Sequence, residues 1–306
     1  MQKTILKIKD KKTDAILRVQ SAVLKAVVDF MYERDITQLM PIMLSPITDT
    51  LNHDVYEGEI EYCGQKLKLT KSMILHKQIA LISEHRKGIF IISPNIRLER
   101  ESCSESGRHL IEFSQVDFEF KDKKREDILE FMEELFRAIM LRVTEDCKDE
   151  LSLFGRDLDV PDRPFKVYES KELEAKHGKD FEKIMSEKAV EPFWIFDHER
   201  EFYDKEDPSR PKYYLNFDLI YPEGYGEALS GAEREHEYEQ IVERMKRCNV
   251  DPKDYSPFLE LAKKKLLPRT AGAGFGVERL IRYICGLERI EDAALFARAP
   301  GKKIVF

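Results

Sequence analysis

Apolar residues recur at helical spacing near the start of the chain, over residues 14–34. The apolar positions are Ala15, Ile16, Val19, Ala22, Val23, Ala26, Val27 and Phe30. Because positions three and four apart lie on one side of a helix, this spacing predicts a long amphipathic helix with one face toward a core. Similar spacing predicts helices over residues 72–85, 126–144, 235–248 and 256–264.

Short runs with strand-like composition lie between these helices. They cover residues 60–69, a hairpin turning near Gly64, and residues 88–93, 110–120, 213–221 and 227–229. The strands come in groups with hairpin-like connections and do not alternate regularly with helices, so the predicted fold class is α+β, an antiparallel sheet flanked by helices. We expect one domain over residues 1–306, in which the irregular residues 151–210 form a possible excursion or subdomain.

The charge balance changes which partners are expected. The 306 residues include 51 Lys and Arg and 58 Asp and Glu, for a net charge of -7 at pH 7. A phosphate-binding face usually shows as a basic excess, so this balance argues against broad nucleic-acid affinity. Five scattered cysteines without a CxxC pair predict neither a disulfide framework nor a structural zinc site. The chain has no segment typical of a signal peptide or a membrane span, which favours a cytoplasmic protein with no membrane partner.

Three glycines alternate in the segment AGAGFGVERL, at residues 271–280. Glycine lets a ligand approach a strand closely, and an arginine at the start of the following helix can reach a phosphate. Gly272, Gly274, Gly276 and Arg279 therefore indicate a phosphate site, and the alternative is that the glycines serve tight packing alone. The chain lacks the GxxxxGK[ST] and GxGxxG motifs, so the ordinary ATPase and dehydrogenase classes lose their main support.

A second group of chemically useful residues lies on two predicted strands. Arg97 and Glu99 share one face of the first strand, because side chains alternate along a strand. Phe113, Gln115 and Asp117 share one face of the second. Together they would offer a guanidinium for a phosphate, an aromatic ring for a base and polar groups for a substrate. The alternative is an ordinary hairpin with an ion-paired outer face.

The segments IRLE at 96–99 and GRHLIEFSQVD at 107–117 resemble motif 2 of the class II aminoacyl-tRNA synthetases, and AGAGFGVERL resembles their motif 3. Four further segments are similar to the aspartyl and asparaginyl branch: SMILHKQ at 72–78, FDL at 217–219, GEALSGAER at 226–234 and FARAPG at 296–301. Motif 1 fits residues 14–34 and Pro41 or Pro46 loosely. The resemblance extends over nearly the whole chain and implies a class II synthetase fold, a homodimer, Mg²⁺ as cofactor and ATP as co-substrate.

The resemblance assigns roles to individual residues. It implies that Arg97, Arg279 and Glu227 are catalytic without a protein nucleophile, and that Glu227 and Ser230 hold Mg²⁺. ATP would contact Arg97, Glu99, Arg108, His109, Phe113, Glu227, Gly276 and Arg279. The amino acid would contact Ser72, Lys77, Gln115, Asp218, Ser230 and Arg234. Lys77 and Arg234 place two cations in one pocket, which favours the dicarboxylic acid aspartate over a neutral amide.

The start of the chain suggests which reaction follows activation. The tRNA synthetases of this branch begin with an anticodon-binding OB domain of about one hundred residues, whereas this chain reaches its loosely matching motif 1 at residues 14–34. We therefore expect a free-standing catalytic core without an OB domain. Free-standing relatives in this branch include archaeal asparagine synthetases.

That resemblance implies ammonia-dependent asparagine synthesis. Aspartate, ATP and ammonia would give asparagine, AMP and pyrophosphate through a β-aspartyl-adenylate, with no tRNA partner. Two alternatives stay open. One is an aspartate-adenylating paralogue that transfers to RNA or protein, and the other is a non-catalytic sensor of amino acid or nucleotide.

Overall fold

The structure is a computed structural model that describes residues 2–305. The α-helices of this part are α1 (Gln2–Ile8), α2 (Lys11–Glu33), α3 (Ile74–Ala80), α4 (Arg125–Asp146), α5 (Lys148–Leu153), α6 (Ser170–His177), α7 (Phe181–Lys188), α8 (Tyr238–Arg247), α9 (Ser256–Lys263) and α10 (Val277–Ile284). The strands are β1 (Thr37–Gln38), β2 (Leu44–Ser45), β3 (Val55–Tyr56), β4 (Glu59–Tyr62), β5 (Gln65–Leu69), β6 (Gly88–Ile96), β7 (Leu98–Glu99), β8 (Glu112–Lys121), β9 (Lys166–Glu169), β10 (Phe193–Phe196), β11 (Asn216–Tyr221), β12 (Gly226–Glu233) and β13 (Thr270–Gly276). Within the described part, every helix is too short or too polar to cross a bilayer.

The main sheet has the strand order β1-β6-β8-β13-β12-β11-β10-β9. Neighbouring strands from β6 to β10 pair antiparallel, whereas the edge pairs β1–β6 and β9–β10 are parallel. The predicted α+β class with an antiparallel sheet flanked by helices is therefore confirmed. Strands β9 and β10 come from residues 151–210 and extend one edge of this sheet. The division of the chain into domains stays a prediction.

Helices α2, α4 and α10 cover one face of the main sheet. The helix predicted near the chain start is confirmed as α2, and seven of its eight apolar positions are buried. On β13, Ala271, Ala273 and Phe275 point into this core. Because side chains alternate along a strand, the glycines of β13 lie on the opposite face. That face is where the predicted site residues lie.

The glycines of β13 make room for side chains of the neighbouring strand β8. A Cβ on Gly272 would lie 2.3 Å from Glu119 Oε2, and one on Gly274 would lie 2.3 Å from Gln115 Nε2. At Gly276 the nearest atoms belong to Arg279, at 3.7 Å. Tight packing, the alternative interpretation of the motif, therefore describes Gly272 and Gly274, whereas a Cβ at Gly276 would make only an ordinary van der Waals contact with the Arg279 side chain.

Two helices are shorter than the sequence pattern predicts, because side chains satisfy their terminal backbone groups. Helix α3 ends at Ala80, whose carbonyl oxygen accepts a hydrogen bond from Arg86 Nε at 3.0 Å. Helix α8 begins at Tyr238. Glu235 Oε1 accepts from the backbone N–H groups of His236 and Glu237 just before it, at 2.9 and 3.1 Å. Such side-chain caps compete with further helical turns.

A charged cluster joins the two ends of the chain. The backbone carbonyls of Glu291 and Ala294 accept hydrogen bonds from Lys7 Nζ at 2.6 and 2.7 Å. The Glu291 carboxylate contacts both Arg289 and Lys302. Burial opposes its ionisation, but these two cations outweigh burial and lower its pKa to about 2. Helix α1 is thereby tied to the C-terminal segment.

Candidate active site

All fourteen residues predicted to bind ATP, amino acid or metal line one cavity of about 760 Å³. The cavity lies on the face of the main sheet that carries the β13 glycines. Its walls come from α3, β7, β8, α6, α7, β11 to β13, α10 and the connection between β10 and β11. The structure thus brings these fourteen residues together, and the role of each stays a prediction.

The two cations predicted to select the substrate form the inner end of the cavity. Lys77 Nζ donates to Asp117 Oδ1 at 2.8 Å and to the carbonyl of Ala273 at 3.1 Å. Arg234 Nε donates to Glu119 Oε1 at 3.1 Å. Glu119 Oε2 also lies 3.7 Å from Lys77 Nζ, so this fully buried carboxylate bridges the two cations.

Lys77, Arg234 and Asp117 were predicted from the sequence to lie near one cavity, whereas the counter-charge Glu119 was not. A signal was present, because the alternation Phe113, Gln115, Asp117 continues to Glu119 on the same face of β8. An acid at a buried strand position needs a buried partner. That requirement would have paired Glu119 with the cations.

The arginines predicted to bind phosphates lie at the wider end of the cavity. Arg97 Nε donates to the Lys71 carbonyl at 3.2 Å, and its guanidinium lies 5.1 Å from the centre of the Phe113 ring. Arg279 Nη1 lies 3.3 Å from Glu227 Oε1. The charge of Glu227 outweighs the burial of Arg279 and raises the pKa of its guanidinium. Arg279 is therefore held charged on the cavity wall.

A loop over residues 48–54 closes one side of this wider end. His53 Nε2 lies 3.0 Å from Glu99 Oε1. Burial opposes the ionisation of Glu99, but His53 outweighs it and lowers the pKa of that carboxyl. Asp49 in the same loop accepts hydrogen bonds from Ser72 Oγ and Tyr203 Oη, each at 2.8 Å. Ser72, predicted to bind the substrate, is thereby fixed to the loop.

Comparison with known proteins identifies the fold that builds this cavity. Residues 1–300 match the family described as tRNA synthetases class II (D, K and N). The chain belongs to this family. It is 30% identical to the asparagine–tRNA ligase of Pyrococcus abyssi, over 97% of this chain and 71% of the relative. It is 32% identical to that of Pelotomaculum thermopropionicum, over 95% and 70%.

Solved structures of class II synthetases superpose closely on the chain. Asparaginyl-tRNA synthetase from Pyrococcus horikoshii, complexed with asparaginyl-adenylate, matches with a TM-score of 0.87 and 28% identity. The match covers 97% of this chain and 71% of that structure. The structure of the same enzyme without a named ligand gives a TM-score of 0.82 at 27% identity, over 96% and 70%.

These comparisons overturn the predicted reaction. The relatives are asparagine–tRNA ligases, so the prediction of ammonia-dependent asparagine synthesis is wrong. The predicted ammonia partner and the predicted absence of tRNA are wrong for the same reason. The prediction rested on the expectation that the chain has no anticodon-binding domain. The length of the chain does not determine which acceptor reacts with an aminoacyl-adenylate in the cavity.

Class II synthetases use ATP and Mg²⁺, and the predicted metal ligands fit such an ion. Glu227 and Ser230 are three residues apart, which in a regular strand would place them on opposite faces. Leu219 pairs with Leu229 but Ile220 pairs with Glu227, so β12 bulges at Ala228. The bulge turns both side chains toward the cavity. Their oxygens suit a hard cation beside a triphosphate.

Acidic side chains surround these predicted ligands. Ser230 Oγ donates to Asp218 Oδ1 at 2.7 Å, and Glu182 Oε1 accepts from the backbone N–H of Glu227 at 3.2 Å. Burial, reinforced by the charges of Glu227 and Asp218, raises the pKa of Glu182 to about 7. Within residues 2–305, however, no group of three or more Asp, Glu, His or Cys side chains is arranged to hold a metal ion by itself. Phosphate oxygens or water would have to complete the coordination of Mg²⁺.

The sequence analysis missed a charged segment of the cavity wall between β10 and β11. His198 Nε2 lies 3.2 Å from Asp218 Oδ2, and Arg200 Nη1 lies 2.6 Å from Asp218 Oδ1. Burial opposes the ionisation of Asp218, but Arg200 and His198 outweigh it and lower the pKa of that carboxyl. The segment has neither helical nor strand period, so nothing in the sequence distinguishes these residues from solvent-facing ones.

Proposed function

We propose that the chain activates aspartate with ATP and transfers the aspartyl group to a tRNA. The observation that carries this proposal is the convergence of the motif 2 and motif 3 residues on one cavity with two fixed cations at its inner end. The tRNA acceptor rests on the relatives, which are asparagine–tRNA ligases. The retained site residues argue against a sensor without chemistry.

Activation needs positioning and charge neutralisation more than a protein nucleophile. A carboxylate oxygen of aspartate attacks the α-phosphorus, the bond to the bridging oxygen breaks, and pyrophosphate leaves with the electron pair. Arg97 of motif 2 and Arg279 of motif 3 would neutralise the negative charge that develops on the phosphate oxygens. Mg²⁺ held by Glu227 and Ser230 would neutralise further phosphate charge. A hydroxyl of the terminal ribose then attacks the acyl carbon, which gives an ester and AMP.

The preference for aspartate follows from the hydrogen-bonding capacity of the inner end. Lys77 and Arg234 are donors without acceptor atoms. Each already donates to a buried carboxylate and to a backbone carbonyl, and each lines the cavity. A substrate carboxylate can accept from both with either oxygen. An amide NH₂ in the same place would face two donors, which is unfavourable when buried.

Two assays on the full-length chain test the proposal. The first is exchange of labelled pyrophosphate into ATP, which we expect with aspartate and at least about tenfold less with asparagine. The second is attachment of labelled aspartate to total tRNA, with periodate-oxidised tRNA as control. Exchange with asparagine in preference to aspartate would refute the substrate argument. Release of free asparagine from aspartate and ammonium, without labelled RNA, would refute the acceptor.

A further inference from the structure

Both predicted metal ligands are held by arginine side chains. Glu227 Oε1 lies 3.3 Å from Arg279 Nη1. Ser230 Oγ accepts a hydrogen bond from Arg200 Nη1 at 2.5 Å, and the same nitrogen donates to Asp218 Oδ1 at 2.6 Å. A guanidinium therefore contacts each oxygen group that a divalent cation would use.

The fold fixes Arg200 in this position from several sides. Its backbone carbonyl and that of Glu201 accept hydrogen bonds from Arg244 Nη2 of α8, at 3.3 and 3.1 Å. Its guanidinium donates further to the carbonyl of Gly231 at 3.2 Å and to Asp204 Oδ2 at 3.3 Å. The Arg200 side chain is 10% exposed. Arg200 therefore rests on Ser230 in the nucleotide-free protein and has other acceptors, Asp204 and the Gly231 carbonyl, to keep when a divalent cation takes its place there.

A third arginine follows the same pattern. Glu182 Oε1 lies 3.8 Å from Arg108 Nη2, so the three carboxylates Glu182, Asp218 and Glu227 each have an arginine beside them. Arg108 and Arg279 are also the side chains predicted to bind the phosphates of ATP. When phosphates recruit these two arginines, the carboxylates lose counter-charge. A buried carboxylate without a counter-ion is unfavourable, and a divalent cation restores the balance.

We propose that Arg200 and Arg279 occupy the metal-ligand side chains of the nucleotide-free protein, so that the site takes up a divalent cation together with ATP and not before it. The proposal rests on the proposed function in so far as ATP is the nucleotide. Its consequence is reciprocal linkage between the two ligands. A nucleotide that draws Arg279 away from Glu227 must raise the affinity for the metal ion, and the metal ion must raise the affinity for the nucleotide by the same factor.

The proposal is tested by titrating Mn²⁺ into the nucleotide-free, full-length protein. Binding is measured by electron paramagnetic resonance, as the loss of the signal of free Mn²⁺. We expect weak binding by the unmodified protein and at least about tenfold tighter binding by Arg200→Ala and Arg279→Ala, because each removes one positive charge within about 4 Å of the ligands. Arg18→Ala is the control. It removes the same charge from a side chain that is 74% exposed and does not line the cavity, so we expect no change.

Further variants keep the test decisive. In the double variant Arg200→Ala with Glu227→Gln the gain in affinity should disappear, because the carboxylate ligand is gone. If Arg200→Ala fails to fold, as thermal melting would show, Arg279→Ala carries the test. Equal Mn²⁺ affinity in all folded variants, or a gain that survives Glu227→Gln, would overturn the proposal. Because this titration involves neither aspartate nor tRNA, its outcome is independent of the exchange and charging assays.

Discussion

Glu119 bridges the two cations at the inner end of the cavity, and replacing it with Gln separates the effect of its charge from that of its shape. The side chain is fully buried, lies between Lys77 and Arg234, and accepts a hydrogen bond from Thr270 Oγ1 at 2.8 Å. Glu119→Gln keeps the volume and one carbonyl oxygen but leaves two buried cations short of a counter-charge. Removing one partner of a buried ion pair costs about 3–5 kcal/mol of unfolding free energy.

That cost converts into a measurable shift of the melting temperature. The unfolding entropy is about 2.1 cal/mol/K per residue, which for 306 residues gives about 0.64 kcal/mol/K. We therefore expect Glu119→Gln to lower the Tm by about 5–8 °C in differential scanning calorimetry. The matched control is Glu112→Gln on the same strand, where the glutamate is exposed and the expected change is within about 0.5 kcal/mol.

The comparison of these two variants decides whether the charge network is structural. The same substitution should also raise the KM for aspartate in the exchange assay, because Lys77 and Arg234 would lose the group that fixes their separation. Equal melting temperatures for the Glu119 and Glu112 variants would refute the network. A lower Tm with an unchanged KM would leave the network intact but separate it from substrate binding.

Three further changes have defined outcomes. Arg97→Ala should reduce pyrophosphate exchange by about 10²–10³-fold without altering the circular dichroism spectrum, because it removes one preorganised positive group from the phosphate site. Gly274→Ala would place a carbon 2.3 Å from Gln115 Nε2 and should lower the free energy of unfolding by about 1–3 kcal/mol in urea denaturation. Gly276→Ala should leave it unchanged, because the new carbon would lie 3.7 Å from its nearest neighbours, atoms of Arg279. Glu291→Gln should lower stability at pH 7, because the folded state holds the pKa of this carboxyl at about 2, below its ordinary value of 4.5. That loss should shrink as the pH falls from 4.5 toward 2 and vanish below 2, where the carboxyl is protonated in both states. A stability difference that is independent of pH would contradict the assignment.

Local chemistry made several elements predictable. The apolar stripe of α2 and the hairpin at Gly64, which has a φ of +73°, follow from helical spacing and from the freedom of glycine. The site residues of motifs 2 and 3 were predictable because strand alternation fixes which side chains share a face. Arg97 with Glu99, and Phe113 with Gln115, do line one cavity.

The choice of reaction was not predictable in this way. The cavity residues were named correctly, yet the conclusion about ammonia and tRNA depended on chain length, and the asparagine–tRNA ligase relatives overturned it. Chain length reports on which modules accompany a catalytic core. Chemistry after the adenylate depends on which nucleophile reaches the cavity.

The sequence by itself determined the apolar face of α2, the strand faces of motifs 2 and 3 and fourteen of the residues that line the cavity, since these depend on spacing within a few residues. Tertiary structure alone decided how those side chains are paired. The bridge of Glu119 between Lys77 and Arg234 and the contact of Arg200 with Ser230 join strands or loops distant in sequence. The bulge that aligns Glu227 with Ser230 depends on the pairing of β12 with β11. Ion pairing and burial depend on distances of a few ångströms between such segments, and no local pattern encodes those distances.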